Sequence, residues 1–430
     1  MDVPTCTRTR TWWRRLSVAA AILFLVVAAI PLISFMKYRH HLDLARAEVE
    51  RGHFATAKHE LQYCQSSWFA DRELALLSAQ AARRSGAWDD AKRQLDDYSR
   101  SYGDDEDLVG ERLMLLATQG ELDAAAPRLL NMIARNHASS RLAREALIVG
   151  QLFRFRWFEA ERNIDAWLQV APDDPLAWFH RGKLHEQRQL IPDAIAAYRE
   201  TLERDLDHDE ARLRLITLLL QQRSASEALP HLERLRTRLP DHPEIRIQLA
   251  KAYSLLGLTD ESRRVLDDTL VRFPDFAPAL AERGAQAIQA GDDSAAEDLL
   301  SRALRLAPGD YTARSQYAAV LERLGKPHEA AKIKETLRKL EEDQERIAEL
   351  IAGPLRTRPN DPAVPHEIGM IAMRSGQFAE ANRWLLNALS VDPDHGPSHQ
   401  ALAGYHQAAG NPALAAKHRA LAKQHTKKPG

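Results

Sequence analysis

The chain has 430 residues, with 59 Lys and Arg against 60 Asp and Glu, a formal net charge of −1. Beyond residue 37 the balance is 54 basic to 59 acidic residues, which lacks the cationic surplus of a nucleic-acid binder. The only cysteines are Cys6 and Cys64, too few for a disulfide framework or a CxxC metal site. Length alone predicts two or three compact domains.

Residues 1–15 form a short basic segment carrying Arg8, Arg10, Arg14 and Arg15, with Trp12 and Trp13 among them. Residues 16–36, "LSVAAAILFLVVAAIPLISFM", are 21 residues without a charge. At about 1.5 Å per residue such a helix spans roughly 30 Å, the thickness of a bilayer core. The run predicts a transmembrane helix and a single-pass membrane protein. A cleaved signal peptide is the alternative. Against it, the run is longer than a usual signal core and no clear A-x-A site follows. The basic N-terminal cluster predicts a cytoplasmic N-terminus with the bulk of the chain outside the cytoplasm. Lys37, Arg39, Arg46, Arg51 and Lys58 beyond the run narrow that asymmetry. Between Met36 and Gly52 the sequence "KYRHHLDLARAEVER" holds no Gly or Pro. A helix is therefore expected to run from the span into the next element, with Pro31 as a kink point.

A repeat then takes over. Aligned on "Gly-x-aromatic-x-x-Ala", Ala57, Ala91, Ala125, Ala160, Ala194, Ala228, Ser262, Ala296, Ala330, Ala381 and Ala415 follow one another at steps of 34, with one step of 35 and one of 51. Five residues earlier stand Gly52, Gly86, Gly120, Gly257, Gly291, Gly325, Gly376 and Gly410. Twelve earlier stand small residues, among them Ala45, Ala79, Gly182, Ala250, Gly284, Ala318, Gly369 and Ala403. Twelve later come Pro172, Pro240, Pro274, Pro308 and Pro393. This is the pattern of a helical hairpin. Two helices approach closely only where neither presents bulk. Glycine serves the turn between them, and proline ends the second helix. Trp88 and Trp157 before the alanine, and Leu95 and Tyr198 after it, mark an apolar face that a lone hairpin cannot bury.

The pattern resembles the tetratricopeptide repeat (TPR). The clearest copy is 175–208, where Trp178, Gly182, Ala194 and Tyr198 stand at the family's signature positions and Gln189 replaces the turn glycine. Copies three and four depart most, at Leu113, Ile148 and Phe155. The resemblance covers roughly residues 38–423. It implies an all-α, right-handed α-solenoid of about 11 hairpins, preceded here by the transmembrane helix.

The 51-residue step leaves 17 extra residues. They fall in "HEAAKIKETLRKLEEDQERIAELIAGPL", residues 328–355, which has no helix breaker before Gly353. One helix of about 25 residues is expected, with Gly353 as a left-handed stop before Pro354. The organisation that follows is a repeat array over 38–337, an extended helix and linker over 338–361, and a C-terminal repeat pair over 362–430. The extra residues are either a tolerated insertion or a division that redirects the last two copies.

No catalytic motif is present: no GxSxG, P-loop or HExxH, and "HEIGM" at 366–370 lacks the second histidine. The 17 histidines are scattered and match no usual metal-ligand spacing. Acid pairs such as Asp173-Asp174 and Asp292-Asp293 read as helix caps. No enzyme activity and no cofactor is expected.

The resemblance implies a groove lined by first-helix residues. In copies four to seven these are Val149, Leu152, Phe153, Phe179, His180, Lys183, Leu213, Thr217, Ile247 and Lys251. Such grooves take extended or helical peptide segments. The alternative is that these side chains seal the joints between helices. No asparagine falls where carboxylate-clamping TPRs carry one, so that binding mode is not expected. The reading is a membrane-anchored scaffold for protein partners, possible contexts being envelope assembly or secretion, with no nucleic acid. Self-association through the long helix or the C-terminal repeats is the alternative.

Overall fold

Helical hairpins need neighbours, because each carries an apolar face it cannot cover alone. The computed structural model describes residues 31–67, 69, 71–137 and 139–425, and within them it shows eleven such hairpins. They divide into two compact units between Leu147 and Ile148.

The first unit holds hairpin 1 (residues 31–51, then Phe54–Gln65), hairpin 2 (Arg72–Arg84, Trp88–Tyr102) and hairpin 3 (Glu106–Thr118, Leu122–Ala134). The boundary falls inside the first helix of hairpin 4 (Ser140–Phe153, Trp157–Val170). Hairpins 5 (Pro175–Gln187, Ile191–Arg204), 6 (Asp209–Gln221, Ala225–Arg238) and 7 (Pro243–Leu255, Thr259–Arg272) follow. Hairpins 8 (Ala277–Ala290, Asp293–Leu306) and 9 (Tyr311–Arg323, Pro327–Ala352) come next. A single turn, Pro354–Thr357, leads to hairpins 10 (Ala363–Arg374, Phe378–Val391) and 11 (Gly396–Ala408, Pro412–His425).

The repeat positions have the roles their chemistry dictates. The ten phased alanines are fully buried where the two helices of a hairpin cross. Ser262 stands in for the eleventh and satisfies its hydroxyl by donating to the Ala250 carbonyl at 2.7 Å. A Cβ on Gly284 would sit 2.8 Å from Leu300 Cγ, and one on Gly369 would sit 2.9 Å from Leu385 Cγ. At Gly182 it would strike the Tyr198 ring. The turn glycines adopt φ between 73° and 87°, which L-residues resist. Asp174 and Asp292 cap their helices, accepting from the backbone N–H of Leu176 and Ala295.

At the N-terminal end, helix runs without a break from 31 to 51. Leu32, Ile33, Phe35 and Met36 are exposed, whereas Tyr38, Leu42, Ala45 and Val49 enter the core. Residues 16–30 of the expected transmembrane span lie outside the described residues. Among the described residues no helix is long and apolar enough to cross a membrane. Within the first unit two arginines are buried against carboxylates: Arg83 on Glu111, and Arg84 on Glu145 at 2.9 Å.

The long helix is Pro327–Ala352, 26 residues or about 39 Å. Gly353 does not supply the expected left-handed stop: its φ is −109° and the chain turns directly into Pro354–Thr357. The insertion can be placed by register. Joining Leu340 directly to Arg358 would give "LRPNDP", the form of "VAPDDP" at 170–175. The extra residues are therefore 341–357, the outer part of the long helix and the turn after it.

Gly182→Val should overpack the crossing in hairpin 5 and destabilise it by about 1–3 kcal/mol. Local hydrogen exchange over residues 175–204 would show it as faster exchange there, with hairpin 2 unchanged.

Candidate functional site

First helices of neighbouring hairpins touch one another, Asp209–Gln221 on Pro243–Leu255 and Ala277–Ala290 on Tyr311–Arg323 among them. Between neighbouring hairpins, no pair of second helices comes as close among the described residues. The first helices thus line the inner side of the curve in the second unit, and the ten expected groove residues all lie on them.

Burial divides those ten. Leu152, Phe179, His180 and Ile247 are buried. Packing accounts for them: Phe179 lies between Tyr198 (6.0 Å between ring centres) and His208 (4.6 Å), and His180 lies against Trp167 (6.3 Å). Val149, Phe153, Lys183, Leu213, Thr217 and Lys251 are part-exposed and reach the inner surface.

That surface is charged, and its charges are tied together. Arg214 bridges Glu186 at 3.1 Å and Glu210 at 3.2 Å, and Tyr198 donates to Glu186 at 2.6 Å. Burial pushes the Tyr198 phenol up, with Arg214 opposing. Burial also acts to raise Glu210, but Lys183, Arg214 and His208 outweigh it and hold the carboxyl below its ordinary range. At Glu282 burial wins over Lys251, so that carboxyl is raised. The inner face is therefore a mosaic of held carboxylates and cations with apolar side chains between them.

Hairpin 4 shows a contact the sequence reading missed. Phe155 stacks on Trp384 of hairpin 10, with ring centres 4.0 Å apart and planes at 11°. Trp157 meets the same indole edge-on at 5.8 Å. The Arg383 guanidinium lies 4.8 Å from the Phe155 ring centre and 5.2 Å from that of Phe153. Arg154 donates to the Leu386 carbonyl. Ile347, Leu350 and Ile351, from the end of the long helix, join the same cluster as Ile148, Leu152, Ile368 and Ile371. The second unit therefore closes on itself, with hairpin 10 seated on hairpin 4. The departure from glycine at Phe155 was the one sequence signal for it. Beside the contact an open cleft of about 730 Å³ is bordered by Phe155, Trp157, Phe158, Leu355 and Pro365. Among the described residues, no group of three or more His, Cys, Asp or Glu is placed to hold a metal ion.

Comparison with known proteins bears on hairpins 4 to 8. Residues 156–205 and 188–243 match one tetratricopeptide-repeat family model, and residues 219–282 match another. The chain contains TPR repeats. Both models describe a repeat, and neither describes a catalytic family. The TPR repeat-containing protein PA4667 of Pseudomonas aeruginosa (strain PAO1) is 26% identical over 222 residues, 51% of this chain and 34% of that protein. The chain thus spans about a third (34%) of that relative's length. Solved structures with similar folds include PilW, a type IV pilus biogenesis factor (16% identity, 45% of this chain, 90% of that one, TM-score 0.40). The Cut9–Hcn1 assembly of the APC/C has 16% identity, 91% and 82% coverage and a TM-score of 0.35. The human IFIT1 dimer has 15% identity, 89% and 95% coverage and a TM-score of 0.41.

Trp384→Ala should cost about 3–5 kcal/mol locally, the range for emptying a buried aromatic site. Hydrogen exchange should accelerate in residues 148–158 as well as in 378–391, and hairpins 6 and 7 should be unaffected.

Proposed function

We propose that this chain is a non-enzymatic scaffold, anchored in a membrane by residues 16–36, that holds partner proteins on the inner face of its TPR repeats. The observation that carries the reading is that inner face. Val149, Phe153, Lys183, Leu213, Thr217 and Lys251 are part-exposed along consecutive first helices, the mixed surface that captures peptide segments. The charge-free run before residue 36 and the unbroken helix from 31 to 51 favour an anchor continuous with hairpin 1. The exposed Leu32, Ile33, Phe35 and Met36 suit the edge of a bilayer. The basic N-terminal cluster favours repeats on the non-cytoplasmic side, where envelope assembly or secretion would supply clients.

Self-association through the long helix is the second reading. Its outer face disfavours it, because Arg338 already pairs with Glu335 (2.9 Å) and Glu342, and Arg346 with Glu367 (2.8 Å). A surface that satisfies its own charges gains little from a second copy.

Crosslinking in the native membrane, followed by mass spectrometry, tests the scaffold. Defined proteins should be captured by the wild type and reduced at least tenfold by the pair Lys183→Glu and Lys251→Glu. Unchanged capture would overturn the inner face as the binding surface. Removal of residues 1–37 should release the protein from the membrane fraction, and retention there would overturn the anchor.

A further inference from the structure

Five histidines gather in hairpins 10 and 11: His366, His395, His399, His406 and His418. Their contacts define how many protons they can hold. His399 Nε2 lies 2.9 Å from the Pro393 carbonyl, which only accepts, so Nε2 carries a hydrogen. Neutral His399 therefore presents a bare Nδ1, and that nitrogen lies 2.9 Å from His418 Nδ1. One hydrogen fits between the two nitrogens. If both rings become imidazolium, N–H faces N–H and the bond is lost. His406 stacks on the His418 ring at 5.5 Å and 12°, so charge on one ring disfavours charge on the other.

A second pair shares one hydroxyl. His366 Nδ1 and His395 Nδ1 lie 3.1 and 2.8 Å from Ser398 Oγ. Ser398 is fully buried. With neutral rings, one histidine donates to the hydroxyl and the other accepts from it. With both protonated, neither accepts, and a buried hydroxyl is left without a partner for its hydrogen.

We infer that these five histidines form an acid-labile joint: while the rings are neutral, His399, His406 and His418 hold the two helices of hairpin 11 together and His366 and His395 hold its first helix on hairpin 10, and both contacts release when the rings protonate. The surrounding charges do not cancel that response. From the linker and hairpin 10, Asp361 is paired with Arg358 at 2.9 Å and Glu367 with Arg346 at 2.8 Å. The turn between the hairpins contributes Asp392, which together with Asp361 favours a charged His395. From hairpin 11, Lys417 adds positive charge beside His418 and Arg419 is bonded to Gln407. Burial is the first cause lowering His366, His395, His406 and His418, and together with His399, His406 and Lys417 it brings His418 from 6.5 to about 4. The direction follows. Below about 6.5 the opened hairpin binds more protons than the closed one, so closure is complete above that pH and weakens as pH falls towards 4. The joint is independent of any partner on the inner face.

The test is hydrogen exchange of the full-length protein at pH 7.5 and 5.0, corrected for intrinsic rates. His418 alone would favour opening at most roughly thirty-fold at pH 5, before solvent screening reduces it. Residues 396–423 should therefore exchange on the order of tenfold faster at pH 5.0, with residues 209–272 unchanged. His418→Gln should flatten this response, whereas His328→Gln, at an exposed site outside the cluster, should keep it. Equal protection at both pH values would overturn the joint, as would a full response in His418→Gln. If His418→Gln opens the hairpin at pH 7.5, exchange at the histidine C2–H of the wild type decides instead: His366, His395, His406 and His418 must titrate below ordinary histidine. Loss of protection on adding EDTA at pH 7.5 would also overturn it, by showing that a metal ion holds the hairpins.

Discussion

Close approach of two helices at a small residue is the constraint on which this molecule rests. Every hairpin crosses at a buried Ala or Ser, and where a glycine faces it there is no room for a methyl group. Close crossing leaves larger side chains on the flank, and those must be covered by the next hairpin. Stacking solves the problem for the interior of the array. In the second unit the long helix solves it again: its final turn brings Ile347, Leu350 and Ile351 to hairpin 4, and hairpin 10 comes with them.

Residues 341–357 therefore do more than lengthen a joint. The long helix keeps its outer face solvated by its own ion pairs and contributes apolar residues only at its end. A plain 34-residue step would place hairpin 10 as one more layer on hairpin 9. The insertion gives it a second neighbour, 232 residues away in sequence, which Arg154 reaches at the Leu386 carbonyl. The part of the inner face nearest hairpin 4 is thereby partly occupied by the chain itself. The open stretch lies in hairpins 5 to 7, where Lys183, Leu213, Thr217 and Lys251 stand.

Sequence made the local fold legible because the hairpin is a local object. Alanine, glycine and proline report sterics within about 34 residues, and the turn glycines were found at positive φ where the spacing put them. The long helix was legible as an unbroken run between His328 and Gly353. Closure was not, because it joins residues with no periodic relation. Burial of Phe179, His180, Leu152 and Ile247 was hidden for a related reason: a position on a first helix does not tell how deeply the neighbouring helix overlaps it. Phe155 was visible as a departure from glycine, and its meaning came only with Trp384 beside it.

Phe155 also offers the sharpest test of closure. Its φ is +55°, a conformation that costs an L-residue roughly 1–2 kcal/mol and glycine almost nothing. Its stack on Trp384 offsets that strain. Phe155→Gly should therefore destabilise residues 148–170, read by local hydrogen exchange, when Trp384 is present. The same substitution in a Trp384→Ala background should destabilise them less, because the stack is already gone while the contacts of Phe155 with Arg383 and Trp157 remain to be lost. The same effect in both backgrounds would contradict the account, since Phe155 would then owe nothing to hairpin 10.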